Sequence, residues 1–283
     1  MSAFDRRLTL AREDLAELSL EGLLKAGRYQ KAQQHQCCVP VAAIRSRPDS
    51  AAEQTDQLLC GELFSVLTVE NGFAWGQANR DGYVGFVALE ALREQVKLPT
   101  HRLKTLASFV YAEPSVRAPV QARLGHNALV CVEAEQGRYS HLAGLGWVPS
   151  DHLADLLSFE SDWVAAAERY LGVPYLWGGR DALGIDCSGL VQQALTAAGR
   201  FCPRDTDMQA AQLGHALEIG ADLSGLMRGD LVFWKGHVGI MTDAKTLLHA
   251  NGHHMAVVRE PLAGAVVRIR AHEYGEPTAF RRL

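Results

Sequence analysis

Residues 170–189, YLGVPYLWGGRDALGIDCSG, decide the fold, because they lead directly into an amphipathic segment. The apolar residues that follow recur with the period of an α-helix at positions 190, 191, 194, 195 and 198. Asp186 is a residue type that favours helix N-caps, and Pro203 lies just beyond an expected helix end near Gly199. The pattern therefore predicts that Cys187 lies in the first turn of a helix.

A cysteine in this position is a candidate nucleophile. The free backbone N–H groups and the positive end of the helix dipole favour a thiolate over a thiol. The alternative interpretation of Cys187 is a buried structural thiol, since unpaired cysteine is among the most buried residue types.

Composition and charge exclude several classes of partner. The chain has 283 residues, of which 48% are hydrophobic and 21% are charged, and its net charge is −4. These values give no reason to expect nucleic acid or an anionic membrane as a partner. No apolar run approaches the roughly 18 residues that span a bilayer, and the first residues mix acids and bases unlike a signal peptide.

The six cysteines show no CxxC pair and no metal-ligand spacing with the histidines. They are interpreted as reduced thiols, which together with the missing export signal predicts a cytoplasmic protein. No cofactor and no obligatory protein partner are predicted.

Sequence patterns divide the chain into four segments. Residues 1–28 are predicted to form a helical extension, from leucines at positions 15, 18, 20, 23 and 24. Residues 29–95 and 96–156 contain short β-type runs that repeat: VAAIRSRP at 41–48 corresponds to ASFVYAEP at 107–114, and GFV at 85–87 to GWV at 146–148. Two such copies predict two small β-barrels in tandem, followed by a third domain at 157–283.

Each copy resembles the bacterial Src-homology-3-like domain, whose signature is a late Gly-aromatic-Val strand. The first copy differs from the second by the sequence DGYVG at 81–85. Tyr83 in this sequence is either a half-buried packing residue or a phenol that faces a ligand.

The C-terminal segment is predicted to be rich in strands at 230–234, 237–242, 246–251, 265–269 and 278–281. A three-residue loop at 243–245 would pair Thr242 with Thr246 and Gly239 with His249. His237 and His249 would then lie on one face, roughly 7 Å apart, whereas a one-residue change of register would separate them. The glycines on either side of His237 are expected to give a ligand close access to the backbone.

A cysteine nucleophile needs this combination of groups. One imidazole takes the thiol proton and later protonates the leaving amine, and a second polar group fixes the tautomer of the first. Two alternatives stay open for the histidines: a structural role, and a zinc site with Cys187, although no close-spaced ligand pair supports zinc.

Residues 160–283 resemble the NlpC-type cell-wall cysteine peptidases, a papain-like family. The matching segments are, in order, PYLWGG at 174–179, DCSGLV at 186–191, PR at 203–204, GDLVF at 229–233, HVGI at 237–240 and HA at 249–250. The complete layout resembles the γ-D-glutamyl-L-diamino-acid endopeptidases that act on peptidoglycan stem peptides. The resemblance implies a multidomain fold: two all-β SH3-like barrels followed by an α+β papain-like catalytic domain.

The resemblance also implies roles for individual residues. Cys187 would be the nucleophile, His237 the base and His249 the third polar member. Four further residues would line the substrate pocket: Tyr175, Trp177, Asp186 and Ser188. In the first SH3-like domain, Tyr83 and an acidic residue would hold the free amino group of an N-terminal L-Ala; Glu53 is the assigned acid and Glu62 its competitor.

The predicted activity is hydrolysis of the γ-D-glutamyl-L-diamino acid bond in peptidoglycan-derived peptides, acting on free muropeptides during cell-wall recycling. The diamino acid, diaminopimelate or Lys, is left open. Two other functions remain as alternatives. One is a catalytically inactive wall- or peptide-binding module, and the other is a related thiol acyltransferase or amidase.

Overall fold

Most contacts in the chain fall within one of two units, Met1–Leu156 and Leu157–Leu283. The computed structural model describes residues 4–220, 222–272 and 274–283. Among these residues no helix combines the length and the apolar composition that a membrane span requires.

Residues 4–28 are not α-helical, contrary to the sequence prediction of a helical extension at 1–28, of which residues 1–3 lie outside the described residues. Residues 4–28 contain a 3-10 turn at Leu18–Leu20 and the short strand β1 (Ala16–Glu17), which pairs in parallel with β2 (Tyr29–Gln30), and no α-helix. Gly22 adopts a φ of +81°, which interrupts any helix at that point. The leucines are also divided: Leu15 is buried, whereas Leu23 is exposed, so they do not form one helical face.

A seven-stranded antiparallel sheet follows, in the order β5-β4-β8-β7-β6-β3-β9. Its strands are β3 (Gln33–Cys37), β4 (Val41–Arg45), β5 (Gln54–Leu59), β6 (Leu63–Glu70), β7 (Phe73–Ala78), β8 (Val84–Ala88) and β9 (Leu92–Arg93). One core cluster includes Ile44, Phe64 and Tyr83. A second cluster packs Leu10 and Leu15 of the first segment against Trp75.

The next eight strands form two sheets, with the orders β12-β11-β16-β15-β14 and β13-β10-β17. The strands are β10 (His101–Leu103), β11 (Ala107–Tyr111), β12 (Val120–Gly125), β13 (Leu129–Val130), β14 (Val132–Gln136), β15 (Tyr139–Leu142), β16 (Gly146–Pro149) and β17 (Leu153–Asp155). The first of these sheets repeats the order β5-β4-β8-β7-β6, strand for strand. The strands that carry GFV and GWV, β8 and β16, are equivalent in this repeat.

The C-terminal unit is built on a six-stranded antiparallel sheet with the order β20-β25-β21-β22-β23-β24. Its elements are α1 (Trp163–Glu168), β18 (Arg180–Asp181), β19 (Gly184–Ile185), α2 (Cys187–Ala197), α3 (Thr206–Gln212), β20 (His215–Ala216), β21 (Asp230–Trp234), β22 (His237–Met241), β23 (Thr246–Asn251), β24 (Ala256–Pro261), α4 (Leu262–His272) and β25 (Ala279–Arg282). Helix α2 packs against β22 and β23, and α4 packs against β23 and β24.

The strand predicted at 265–269 is wrong, because these residues lie in α4. The buried residues of this helix, Leu262, Ala265, Val266 and Ile269, recur at helical spacing and join the core of the sheet. The β-branched residues Val266, Val267 and Ile269 favour a strand locally, but burial of one helical face prevails. The strand predicted at 278–281 is confirmed as β25.

Candidate active site

Cys187 is the first residue of α2, as the sequence predicts. Asp186 has extended backbone angles and caps the helix: its Oδ1 atom accepts a hydrogen bond from the Gly189 amide at 2.7 Å. Its Oδ2 atom accepts a second bond, from the Gly178 amide at 2.9 Å. The cap therefore joins the helix start to the preceding loop and fixes the position of the cysteine.

Gly189 allows this loop to lie directly on the first turn of α2. A Cβ atom at this position would lie 2.3 Å from the backbone oxygen of Gly179 and 3.0 Å from Asp186 Oδ1. The absence of a side chain in the third helical residue is thus a packing requirement of the site.

The charge of the capping residue Asp186 is neutralised by a buried arginine that the sequence analysis did not assign to the site. Arg204 Nη2 donates to Asp186 Oδ2 at 2.6 Å, and Nη1 donates to Ser188 Oγ at 2.7 Å. All three side chains are buried. The negative charge of Asp186 is therefore already balanced within the protein. The available signal was the Pro203-Arg204 pair, which the resemblance includes.

His237 and His249 lie side by side on one face of the sheet. Pairing of Ile240 with Leu248 and of Met241 with Leu247 gives the register predicted from the loop at 243–245. His237 Nε2 and His249 Nδ1 are 2.8 Å apart, and both rings are buried. The predicted juxtaposition of the two imidazoles is therefore confirmed.

The two glycines that flank His237 lie in different surroundings. Gly236 has a φ of +84° in the two-residue turn that pairs Trp234 with His237. A Cβ atom at Gly239 would lie 2.6 Å from Leu247 Cδ1, so this glycine makes room for a core side chain. The expectation of backbone access is therefore wrong at Gly239, whereas Gly236 is exposed with open space around it.

The imidazole pair continues into polar groups that the sequence analysis missed. His249 Nε2 lies 2.8 Å from Glu260 Oε1 and 3.0 Å from Asn251 Nδ2. Arg268 Nη2 donates to Glu260 Oε1 at 2.5 Å. Glu260 lies in β24 and Arg268 lies in α4, so the helix that the sequence analysis assigned as a strand brings the arginine to the site.

Two aromatic rings hold the His237 ring. Tyr274 stacks on it with the ring centroids 5.4 Å apart and the planes 13° apart. Trp234 lies 5.6 Å away in a tilted arrangement. Neither residue was predicted from the sequence, since an aromatic residue in a strand or after a helix usually marks only a core position.

The thiol of Cys187 is buried beside these strands. The backbone amide of Val238, which follows His237 in the chain, donates a hydrogen bond to the sulfur. Burial and the charge of Asp186 raise the pKa of Cys187 to about 12, although the Val238 amide and Arg204 oppose this shift. Desolvation therefore outweighs the helix start, which the sequence analysis expected to favour the thiolate.

The two imidazoles are also uncharged at rest. Burial, with His249 and Arg268 nearby, holds the pKa of His237 well below its usual value, although Glu260 opposes this effect. Burial likewise lowers the pKa of His249 against the opposing influence of Glu260. With both groups uncharged at rest, a thiolate–imidazolium pair would form only by transfer of the thiol proton to an imidazole.

Tyr175 and Trp177 lie in the loop before α2. Tyr175 is half-buried, and burial together with the charges of Cys187 and Asp186 raises the pKa of its phenol. Trp177 is 57% exposed, so its indole is available to a ligand. Both positions agree with a pocket wall next to the cysteine.

Tyr83, Glu53 and Glu62 lie in the N-terminal unit. Tyr83 is buried in the core of the first sheet and borders a cavity of about 760 Å³ in that unit. Glu62 is buried, and its Oε2 atom accepts hydrogen bonds from the Leu59 amide and from Arg80 at 2.9 and 2.7 Å. Glu53 is exposed. Glu62 thus has a structural ion pair, which leaves Glu53 the more accessible of the two acids.

In the part of the chain that the structure describes, no group of three or more His, Cys, Asp and Glu side chains is arranged to hold a metal ion. The zinc alternative thus finds no ligand cluster among the described residues.

Comparison with known proteins identifies two domains in the chain. Residues 172–274 match the model of the NlpC/P60 family, and residues 44–92 match that of the bacterial dipeptidyl-peptidase Sh3 domain. The γ-D-glutamyl-L-lysine dipeptidyl-peptidase of Bacillus subtilis is 36% identical over 97 residues, which cover 31% of each protein. The chain spans about a third of the length of the curated dipeptidyl-peptidases that it matches.

A solved NlpC/P60 family protein from Bacillus cereus has a similar fold, with a TM-score of 0.74 and 18% identity over 88% of this chain and 99% of that one. The Escherichia coli K12 protein named "Probable endopeptidase NlpC" is 33% identical over 113 residues, which cover 36% of this chain and 69% of the relative. An Sh3 domain thus precedes an NlpC/P60 domain, as the resemblance implied. At this identity and coverage, the chain belongs to the NlpC/P60 family of cysteine peptidases.

Proposed function

We propose that this peptidase hydrolyses the γ-D-glutamyl-L-diamino acid bond of peptidoglycan stem peptides, with Cys187 as nucleophile, His237 as base and His249 as the third polar member. The observation that carries the proposal is the 2.8 Å contact between the two buried imidazoles, on the strands that supply an amide to the Cys187 sulfur. The similarity to the γ-D-glutamyl-L-lysine dipeptidyl-peptidase of Bacillus subtilis supports the choice of bond.

The proposed reaction is acylation of Cys187 followed by hydrolysis of the thioester. The Cys187 sulfur attacks the γ-amide carbonyl carbon while its proton passes to His237. His237 then protonates the leaving amine, and water hydrolyses the thioester. The Cys187 backbone N–H at the start of α2 donates to the oxyanion. The Tyr175 hydroxyl, whose pKa responds to the charge of Cys187, is the proposed second donor.

The proposal extends to the residues that would bind the peptide. Trp177, Asp186 and Ser188 would line the pocket around the scissile bond. Tyr83 and Glu53 would hold the ammonium of an N-terminal L-Ala, because a desolvated ammonium needs a carboxylate and hydrogen-bond acceptors. Asp186 would attract the ammonium less strongly than its negative charge suggests, because Arg204 forms an ion pair with it.

The proposed domain organisation is an N-terminal extension at 1–28, SH3-like domains at 29–95 and 96–156, and the catalytic domain from 157 to 283. The shared strand order of the two sheets supports a duplicated SH3-like domain. The proposal includes a role in the cytoplasm, on free muropeptides during cell-wall recycling, because the sequence analysis interprets the six cysteines as reduced thiols.

The test is incubation with L-Ala-γ-D-Glu-diaminopimelate and with the Lys analogue, followed by detection of the released diamino acid. The proposal predicts release by wild type, and loss of release in Cys187→Ala and His237→Ala. No release from either peptide by a folded wild type, or equal release by Cys187→Ala, would contradict it. Binding without cleavage would indicate the binding module, and products extended by an added amine would indicate the acyltransferase.

The recognition step is tested with the N-acetylated peptide. If Tyr83 and Glu53 hold the ammonium, acetylation, Tyr83→Phe and Glu53→Gln should each raise KM more than they lower kcat. An acetylated peptide that is cleaved as well as the free one would refute the amino-group site and would favour polymeric wall as the substrate.

A further inference from the structure

A chain of hydrogen bonds extends from His237 through His249 to an ion pair outside the proposed triad. The contacts are His237 Nε2 to His249 Nδ1 at 2.8 Å, His249 Nε2 to Glu260 Oε1 at 2.8 Å, and Arg268 Nη2 to Glu260 Oε1 at 2.5 Å. His249 is fully buried and the Glu260 side chain is 18% exposed. The Glu260–Arg268 ion pair therefore contacts His249, the second imidazole of this hydrogen-bond series.

His249 Nε2 has two neighbours that require opposite proton positions. Glu260 Oε1 can only accept, which requires a proton on Nε2, whereas Asn251 Nδ2 can only donate, which requires a lone pair there. The amide of Asn251 is oriented by its other end, because Oδ1 accepts a hydrogen bond from the His254 backbone amide at 2.8 Å. The choice between the two neighbours sets the tautomer of His249.

The carboxylate decides this choice. Hydrogen bonds from His249 and Arg268 lower the pKa of Glu260 to about 2 although burial opposes the charge, so the group is ionised at neutral pH. A hydrogen bond to an ionised acceptor is about twice as strong as one between neutral groups. His249 therefore carries its proton on Nε2 and donates it to Glu260.

The tautomer of His249 then fixes that of His237. With the proton on Nε2, His249 Nδ1 is a lone-pair acceptor, so His237 Nε2 must carry the proton that lies between the two rings. The remaining nitrogen of His237, Nδ1, is left with a lone pair. This nitrogen is the one that can take the thiol proton, whereas the opposite tautomer would place an N–H there and block the transfer.

We infer that Glu260, held by Arg268, is a positioning residue that selects the proton-accepting tautomer of His237 through His249. The inference rests on the proposed function of Cys187 and His237. When His237 takes the thiol proton, the bond from His237 Nε2 to His249 shares the positive charge, and the ionised Glu260 stabilises it from the far end. Glu260 itself neither gains nor loses a proton.

A purely structural role is the competing explanation, since Glu260 and Arg268 also join β24 to α4. The test must therefore read out the tautomer as well as activity. Four variants serve: Glu260→Leu removes the acceptor, Glu260→Gln retains an acceptor oxygen without charge, Asn251→Ala removes the competing donor, and Glu276→Gln makes the same chemical change in an exposed ion pair with Arg270.

Nitrogen NMR of protein labelled in its histidines distinguishes protonated from unprotonated ring nitrogens. In wild type we expect His237 and His249 both to carry the proton on Nε2. Asn251→Ala and Glu276→Gln should keep this state, Glu260→Gln should keep it at least in part, and Glu260→Leu should lose it. If the leucine variant does not fold, the wild-type tautomers still decide, because protons on Nδ1 would overturn the inference.

The second readout is the rate at which iodoacetamide alkylates Cys187, measured with kcat and KM on the peptide. Loss of a charge-assisted hydrogen bond predicts a reduction of about tenfold or more in alkylation rate and in kcat for Glu260→Leu, with KM little changed and a smaller loss in Glu260→Gln. A folded Glu260→Leu with unchanged tautomers and alkylation would overturn the inference. NMR and alkylation need no peptide, so they can succeed even if the proposed substrate fails.

Discussion

At the scale of single residues, the site is governed by burial rather than by the helix terminus. Cys187 is a buried thiol and His237 a buried uncharged imidazole, so neither carries a resting charge. Both side chains are buried, so under the proposed function the charged pair would form only by transfer of the thiol proton to His237. The reactivity of Cys187 is therefore expected to depend on how His237 and His249 are positioned.

The buried, uncharged state of the Cys187 thiol predicts how the rate of its alkylation depends on pH. Because burial raises the pKa of Cys187 to about 12, the rate with iodoacetamide should be low at about pH 6 and should still rise above about pH 9. Mass spectrometry of the six cysteines measures it, with Cys187→Ala as the control. A rate at about pH 6 that already equals the alkaline rate would indicate a resting thiolate and contradict the account.

Arg204 should be essential for stability, since it is the countercharge of the buried Asp186. Replacement by Met should lower the free energy of unfolding by about 3 kcal/mol or more, because an unpaired buried charge remains. Urea unfolding measures this loss. The exposed Arg200, replaced in the same way, should change stability by less than about 0.5 kcal/mol. Equal effects of the two substitutions would refute the role of Arg204.

At the scale of elements, the contact between α2 and the loop before it requires a glycine at position 189. In Gly189→Ala the new Cβ would meet the Gly179 backbone oxygen at 2.3 Å, so the helix start must move. Both kcat and Tm should fall. Gly264→Ala is the matched control: it lies in α4 with open space around it, and alanine there should stabilise by about 0.4–1 kcal/mol. A fully active, fully stable Gly189→Ala would show that the contact is dispensable.

The sequence predicts elements best where the signal is local. The start of α2 follows from its cap and periodicity, and the hairpin register at 243–245 follows from loop length. In contrast, α4 is misread because Val266 and Val267 favour strands, and the leucines of residues 1–28 are divided between core and solvent.

The partners beyond the triad could not be predicted for a related reason. Glu260, Arg268 and Tyr274 reach the imidazoles through strand pairing and helix packing between distant segments. Each is an ordinary polar or aromatic residue in its local pattern, with no spacing that marks it. Cys187, His237 and His249 were found because chemistry restricts which residue types can act together.

At the scale of the whole molecule, the buried histidines make stability depend on pH. The folded-state pKa values of His237 and His249 are lowered, so between the usual value of about 6.5 and these lowered values the unfolded chain binds more protons. Stability is therefore fully present above about pH 6.5 and is lost as pH falls through this window.

Urea unfolding at about pH 7.5 and about pH 5.5 measures this loss. We expect the free energy of unfolding to fall on acidification, and the fall to be smaller when both His237 and His249 are replaced by Asn. The contrary results are a free energy of unfolding that stays constant between these pH values, or one that falls equally in wild type and in the double variant. Either result would show that these histidines are not buried in the uncharged form.

The acyl-enzyme is the most direct test of the central claim, that Cys187 attacks a γ-D-glutamyl amide with help from the His237–His249 pair. Rapid-quench mass spectrometry with L-Ala-γ-D-Glu-diaminopimelate should find the L-Ala-γ-D-Glu acyl group on the peptide that contains Cys187, and none in Cys187→Ala. Hydrolysis that proceeds with no adduct at Cys187, or with the adduct on another residue, would contradict the account.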